Sequence, residues 1–396
     1  MDITLLRKQA EARYAQEGMP SIQDESWRFT DVSQLNPALF TASWKPAALS
    51  LTPLSACYIV VENGRLSLEK SNLDSLPKGV HVRSIMDCTD ERLGSLADQG
   101  SGFVQLNTAT FEQGLQLEVE AGVSVEAPIH IIHLSDNEQG AFQMRHLFAL
   151  GEQAKVTIIE EYIGAAEIEY FMNVVSEVFV ADGAHLDHYK LQRESEAAYH
   201  FHTIEAQCGC EALFSNNAIT IGGRLGRNDI RTRILGEQSE AICNGLYLLK
   251  EQQLFDTHLF MDHAVAKCNS HELYKGILAD KAKSVFCGRI LVQQDAQETD
   301  AIQSNANLLL SRGAKVHTMP QLEIYADDVK CTHGATIGEL DEQALFYLQT
   351  RGVDPEGAHA MLTTAFANEV FDEVACETFK AYAEEMVNIW LSGVHA

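Results

Sequence analysis

From Leu115 onward the chain alternates between apolar and polar positions in short stretches. Leu115-Gln116-Leu117-Glu118-Val119, Val156-Thr157-Ile158-Ile159 and the segment Val174 to Val180 are alternating or β-branched, and small polar turns holding Gly, Asp or Asn separate them. Such stretches predict strands, and no ten-residue helical pattern interrupts them. A loose repeat runs through the region: an apolar pair, three to five turn residues, an alanine, one further residue and another apolar one. It centres on Ala154, Ala184, Ala212, Ala241, Ala282 and Ala314, at spacings of 30, 28, 29, 41 and 32 residues. Strand–turn units repeated at that period predict a solenoid in which each coil pairs with its neighbours. A large antiparallel sandwich is the alternative the pattern leaves open.

Proline marks the same body. Five of the eight prolines lie in the first 77 residues, and none falls between Ile129 and Met319. Because proline has no N–H to give to a sheet ladder, its absence predicts one continuous hydrogen-bonded unit.

At the C-terminal end the period switches to that of helices. Asp341 caps a helix ending near Gly352, Asp354-Pro355 starts a second with proline at its first position, and Ala358, Met361, Leu362, Ala365 and Phe366 are expected to form its apolar face. A last helix carries Phe379, Tyr382, Met386, Val387, Trp390 and Leu391 on one side. Near the N-terminus a helix is expected from about Thr4 to Gln16 and a weak strand from Tyr58 to Val61. The expected organisation is mainly β: a mixed helical domain over 1–100, a strand-built core over 101–333 and a helical domain over 334–396.

Charge narrows the function. The 396 residues carry 29 Lys plus Arg against 56 Asp plus Glu, a net charge of −27. Phosphate backbones and anionic bilayers both recruit clustered cations, so neither nucleic acid nor a membrane surface is an expected partner. No apolar run reaches the roughly 18 residues of a membrane span, and the opening Met1-Asp2-Ile3-Thr4 has no signal-peptide character. A cytoplasmic protein is expected. Nine cysteines, an odd number spread over this length, read as thiols and not as a disulfide framework.

Local catalytic signatures are missing. The sequence has no C-x-x-C pair, nucleophile elbow, Walker loop or H-E-x-x-H. Cys208 and Cys210 would share a strand face, and buried thiols of that kind usually act as small hydrophobes. His200-Phe201-His202 followed by Glu205 approaches a cupin-type metal cluster, so a metal-dependent enzyme using His200, His202 and Glu205 is an alternative reading. At the junction of strands and helices, Cys331 and His333 would point to one side of an extended segment. A thiolate with an imidazole suits iron or another borderline metal, but an iron–sulfur cluster takes about four ligands. A site here would have to be completed by another molecule.

Those same residues carry a resemblance. The run from Phe255 to Asp341, with ADDVKCTHGATIGELD at its end, resembles the core of the SufB/SufD family of the SUF iron–sulfur cluster assembly machinery. The likeness continues through LFYLQTRGV and AFANEVFDEV and includes ESWRFTD around Trp27. Within the family, His333-Gly334-Ala335-Thr336 is similar to the SufD branch, since the SufB branch typically has Glu after the histidine. The resemblance implies a right-handed parallel β-helix flanked by helical domains, a non-enzymatic scaffold that binds no nucleotide itself. It also implies pairing with SufB through the β-helix ends, docking of the ATPase SufC on the C-terminal helices, and a transient cluster at the SufB interface. By motif position His333 would be a ligand there, with Cys331 as a neighbour. A homodimer is expected when SufB is absent. Residues 334–396 hold 2 basic and 11 acidic residues, net −9, so acids including Asp354, Glu369, Asp372 and Glu373 are expected to meet SufC.

Overall fold

The computed structural model describes residues 3–97 and 100–395. Two sheets of ten and nine strands face each other, and successive strands of the core alternate between them. From Ile129–Ser135 to Val329–Gly338 the strands of the ten-stranded sheet pair parallel with the strand two places on, and the other sheet does the same from Leu115–Val119 to Lys315–Ile324. This is a parallel β-solenoid, not a sandwich.

The stacking is in register, which explains both the repeat and its looseness. At one corner, Gly122, Gln153, Gly183, Glu211, Gln238, Lys267 and Glu298 all have positive φ. Backbone bonds tie this corner from coil to coil, as from Gln153 N–H to the Asp182 carbonyl (2.9 Å) and from Glu211 N–H to the Glu237 carbonyl (2.9 Å). Only two of the seven are glycines, although a left-handed conformation costs other residues about 1 kcal/mol or more, so no glycine period is visible. The alanine repeat mixes the two corners. Ala154, Ala184 and Ala212 precede strands of the ten-stranded sheet, and Ala282 and Ala314 precede strands of the nine-stranded one. Ala241 lies inside Glu240–Leu249 of the ten-stranded sheet, and the 41-residue step to Ala282 is the change from one corner to the other.

The sheets recruit residues outside the expected core. Tyr58–Glu62 adds a parallel strand beside Ile129–Ser135 and forms a hairpin with Arg65–Asn72 through Asn63-Gly64, both at positive φ as a type I′ turn requires. The boundary expected at 100/101 therefore falls after three strands already in the sheets, since Val80–Ser84 joins the nine-stranded one, and that at 333/334 falls within the last strand. Helix α1 spans Ile3–Glu17, and a short helix the pattern did not show, α2, spans Gly102–Thr110. Asn107 fastens α2 to the nine-stranded sheet by bonds to the carbonyls of Met144 (2.8 Å) and Asn173 (2.9 Å). Trp27 and Phe103 pack beside it against Phe171, Tyr199 and Phe201.

Helices α3 (Glu342–Thr350), α4 (Pro355–Phe371) and α5 (Glu377–His395) follow the expected caps: Asp341 accepts from Gln343 N–H (2.9 Å) and Asp354 from Gly357 N–H (2.7 Å). The buried stripe of α4 is Ala358, Thr363, Ala367, Val370 and Phe371. The expected face was rotated, because Met361 and Ala365 are exposed while Thr363 turns inward and satisfies its hydroxyl on the His359 carbonyl (2.8 Å). Helices α4 and α5 cover the outer face of the ten-stranded sheet over Ile159, Leu191, Leu246 and Ile277. No helix among the described residues is long and apolar enough to cross a membrane.

Candidate functional site

The solenoid ends without a lid. Lys315–Ile324 and Val329–Gly338 each pair on one side only, leaving two free strand edges. Pro320, which interrupts the proline-free stretch, sits on one of these edge strands, where a missing N–H is tolerated. The inward faces of the two strands present Cys331, His333, Ala335 and Ile337 opposite Val316, Thr318, Pro320, Leu322 and Ile324. In every earlier coil the equivalent positions are buried by the next one. Here Ile337 is 48% and Ile324 39% exposed, so the core stops at a cross-section.

His333 and Cys331 are brought together as expected, two residues apart on the same side of the last strand. His333 is exposed; Cys331 is half-buried against the core, and burial together with the Asp300 carboxylate pushes its thiol above the ordinary range. A raised thiol is a weaker ligand than an exposed imidazole, so His333 is the stronger candidate of the two.

Register adds residues that spacing could not show. Behind His333, one per coil, stand Gln303, Glu272, Cys243, Asn216 and His188. Gln303 donates its amide to Glu272, whose carboxyl is pushed up to about 7 by burial, and Gly288 leaves the space the Gln303 side chain fills. The only sequence signal for this row was a polar residue at the inward phase of otherwise apolar strands.

At its inner end lies a cage. Glu160 accepts from Tyr162 Oη (2.5 Å), His133 Nε2 (3.1 Å) and His188 Nε2 (3.0 Å), with His146 Nε2 at 3.7 Å. Burial works against the ionised form, but these donors hold the carboxyl well below its usual range. Two imidazoles and a carboxylate, those of His133, His146 and Glu160, converge closely enough to invite a metal, yet the outer hydrogen bonds of the imidazoles are wrong for one. His146 Nδ1 accepts the Leu115 N–H (3.1 Å) and His188 Nδ1 accepts the Asn216 amide (2.7 Å). A metal-bound imidazole instead donates that nitrogen's proton to an acceptor. The cluster is a caged carboxylate.

The alternative built on His200, His202 and Glu205 is not assembled. The two histidines face the interior, where His200 Nδ1 meets Glu194 (2.7 Å) and His202 Nε2 meets Ser176 (2.9 Å). Glu205, an odd number of positions away, points out of the other face toward Arg231 (3.7 Å). Cys208 is buried at a strand end, while Cys210 lies exposed in the following turn. Of the acids expected to meet SufC, Asp354 is spent on its cap and Glu369 pairs with the buried Lys275, holding α4 to the sheet. Asp372 and Glu373 remain exposed.

A parallel β-solenoid with flanking helices and one uncapped, histidine-bearing end is the class of protein these features define. The family model described as "SUF system FeS cluster assembly, SufBD core domain" matches residues 133–366, and that described as "SufBD protein N-terminal region" matches residues 2–131. The Escherichia coli iron–sulfur cluster assembly protein SufD is 32% identical over 375 residues, covering 92% of this chain and 87% of the relative. An iron–sulfur cluster assembly SufBD family protein of Synechocystis is 31% identical, covering 93% and 87%. The chloroplastic protein ABCI7 of Arabidopsis thaliana is 32% identical, covering 89% and 79%. The chain belongs to the SufBD family of iron–sulfur cluster assembly proteins.

Proposed function

We propose that the chain is a scaffold subunit of the SUF machinery that pairs with SufB through its open end and docks SufC on its C-terminal helices. The nascent cluster, as cargo, forms at the SufB interface with His333 as this chain's ligand. One observation carries the reading: an exposed imidazole stands in an unfinished core cross-section, with too few ligands of its own. A partner solenoid stacked on this end would extend both sheets, bury Ile324 and Ile337 and supply the missing ligands. For SufC the exposed surface offers Asp372 and Glu373 together with Phe346, Tyr347, Met361 and Ile389, so docking combines charge with apolar contact.

The test is anaerobic co-purification with SufB and SufC, with and without His333→Ala, followed by complementation of a cell lacking this gene. The expected result is an intact complex that carries no cluster and fails to restore cluster-dependent growth. Full restoration by His333→Ala would remove the ligand role. Failure of wild-type chain to associate with SufB would remove the pairing itself.

A further inference from the structure

A second constellation lies on the outer face of the nine-stranded sheet. A cleft of about 580 Å³ opens between that face and the segment Asp24–Trp27, and Cys287 and His258 line it. The two residues are register partners on adjacent parallel strands, so their side chains stand next to each other on one face. Asp256, buried behind them, pairs its Oδ1 with His258 Nε2 at 3.1 Å. Its other oxygen is held by Arg227 Nη1 (2.8 Å) and Thr30 Oγ1 (2.6 Å).

This arrangement decides the charge on His258. Burial and the Arg227 guanidinium oppose protonation, but the Asp256 carboxylate and hydrogen bonds to Asp256 and Cys287 outweigh them, and the imidazole is pushed up to about 9. An imidazolium beside a thiol stabilises the thiolate. Arg231 and Arg289 stand on the same face to either side of Phe260, on whose ring they lie at 5.3 and 4.5 Å. Each is paired with a carboxylate, Arg231 with Glu205 at 3.7 Å and Arg289 with Glu323 at 3.5 Å. The remaining charged groups facing the cleft are Asp229, neutralised by Arg227 (2.9 Å), and Asp24 and Glu25 on the opposite wall. No other cysteine has this setting. Cys57, Cys88, Cys208, Cys243 and Cys268 are buried with thiols pushed up by burial, and Cys331 is raised as well.

We propose that Cys287 is a reactive thiol, with His258 beside it on the sheet face and Asp256 as the positioning residue, that forms a mixed disulfide with small disulfides entering this cleft. The Cys287 thiolate attacks one sulfur of the disulfide, a new S–S bond forms as the old one breaks, and the departing thiolate takes a proton from water. Cys287 is oxidised by the disulfide, which is reduced to one thiol.

The experiment is site-resolved mass spectrometry on the full-length chain, with iodoacetamide between pH 6 and 9 and with oxidised glutathione at pH 7. With an imidazole beside it, Cys287 is expected to be alkylated about tenfold faster than the exposed Cys210 at pH 6.5, with the difference vanishing near pH 9, and to be the main glutathionylated residue. His258→Gln with an unchanged melting temperature is expected to abolish the advantage. A Cys287 pH profile that matches that of Cys210 would overturn the proposal, and this wild-type measurement decides the matter if the variant is unstable.

Discussion

Replacing Ile337 by aspartate tests whether the open end is an interface. Ile337 belongs to the inward row of the last strand and is 48% exposed, because no further coil covers it. Full burial of an isoleucine side chain is worth about 1.5–3 kcal/mol, so a partner covering the exposed half gains about 1 kcal/mol from this residue. Aspartate forfeits that gain and places an unpaired carboxylate in the contact, a penalty of several kcal/mol before relaxation. A net loss of about 3 kcal/mol corresponds to roughly a hundredfold weaker Kd. The isolated chain loses little, since surface substitutions fall within about 0.5 kcal/mol. Isothermal titration of SufB into wild type and Ile337→Asp reads the difference, with unchanged melting temperatures as the fold control. Met361→Asp on the exposed side of α4 serves as a spatial control and is expected to leave SufB affinity unchanged. If Ile337→Asp bound SufB as tightly as wild type, the exposed cross-section would not be the docking surface. The same variant is expected to abolish any self-association of the isolated chain, read by analytical ultracentrifugation.

Four further outcomes follow from the geometry. His146 and His263 are buried and their imidazoles lie at about 4, below the ordinary 6.5; the stability they contribute is complete above pH 6.5 and is lost as pH falls toward 4, on the order of 3 kcal/mol each, so urea midpoints should drop between pH 7 and 5 and His263→Asn should flatten that slope. Glu177 takes Arg145 Nη2 (2.6 Å) and the backbone N–H groups of Gly94 (2.7 Å) and Leu96 (2.8 Å), so Glu177→Ala strands a fully buried guanidinium and should cost about 3–5 kcal/mol in chemical denaturation. Affinity for SufC should fall with added salt but persist, because exposed Asp372 and Glu373 are screened whereas Phe346 and Tyr347 are not; complete independence of salt would assign the C-terminal acidity to solubility. Dialysis against zinc should load no stoichiometric metal at Glu160, and metal retained by wild type but lost from His133→Ala would overturn the caged-carboxylate reading.

Much of the fold was legible because its signals are local. A capping aspartate acts within three residues of itself, so the starts of α3 and α4 could be read directly from Asp341 and Asp354. Period-two alternation identified the strands by the same local logic. The candidate site was legible only at its rim: Cys331 and His333 are two residues apart, and extended backbone alone puts them on one side. His200, His202 and Glu205 failed under the same parity rule, since Glu205 is on the opposite face. The face of α4 was misassigned because its most apolar positions include Met361, left free at the surface.

What the sequence by itself determined is the phase within each strand, the helix caps, and the shortage of ligands at the strand–helix junction. The tertiary structure decided which residues from different coils meet. His188, Asn216, Cys243, Glu272, Gln303 and His333 form one row, and Asp256, His258 and Cys287 form one cleft, although chain distances within them range from 2 to 145 residues. The physical reason lies at the corners. The length of each turn and its left-handed residue set the register of the next coil, and most of those residues are Gln, Glu or Lys, whose identity does not announce the conformation they adopt.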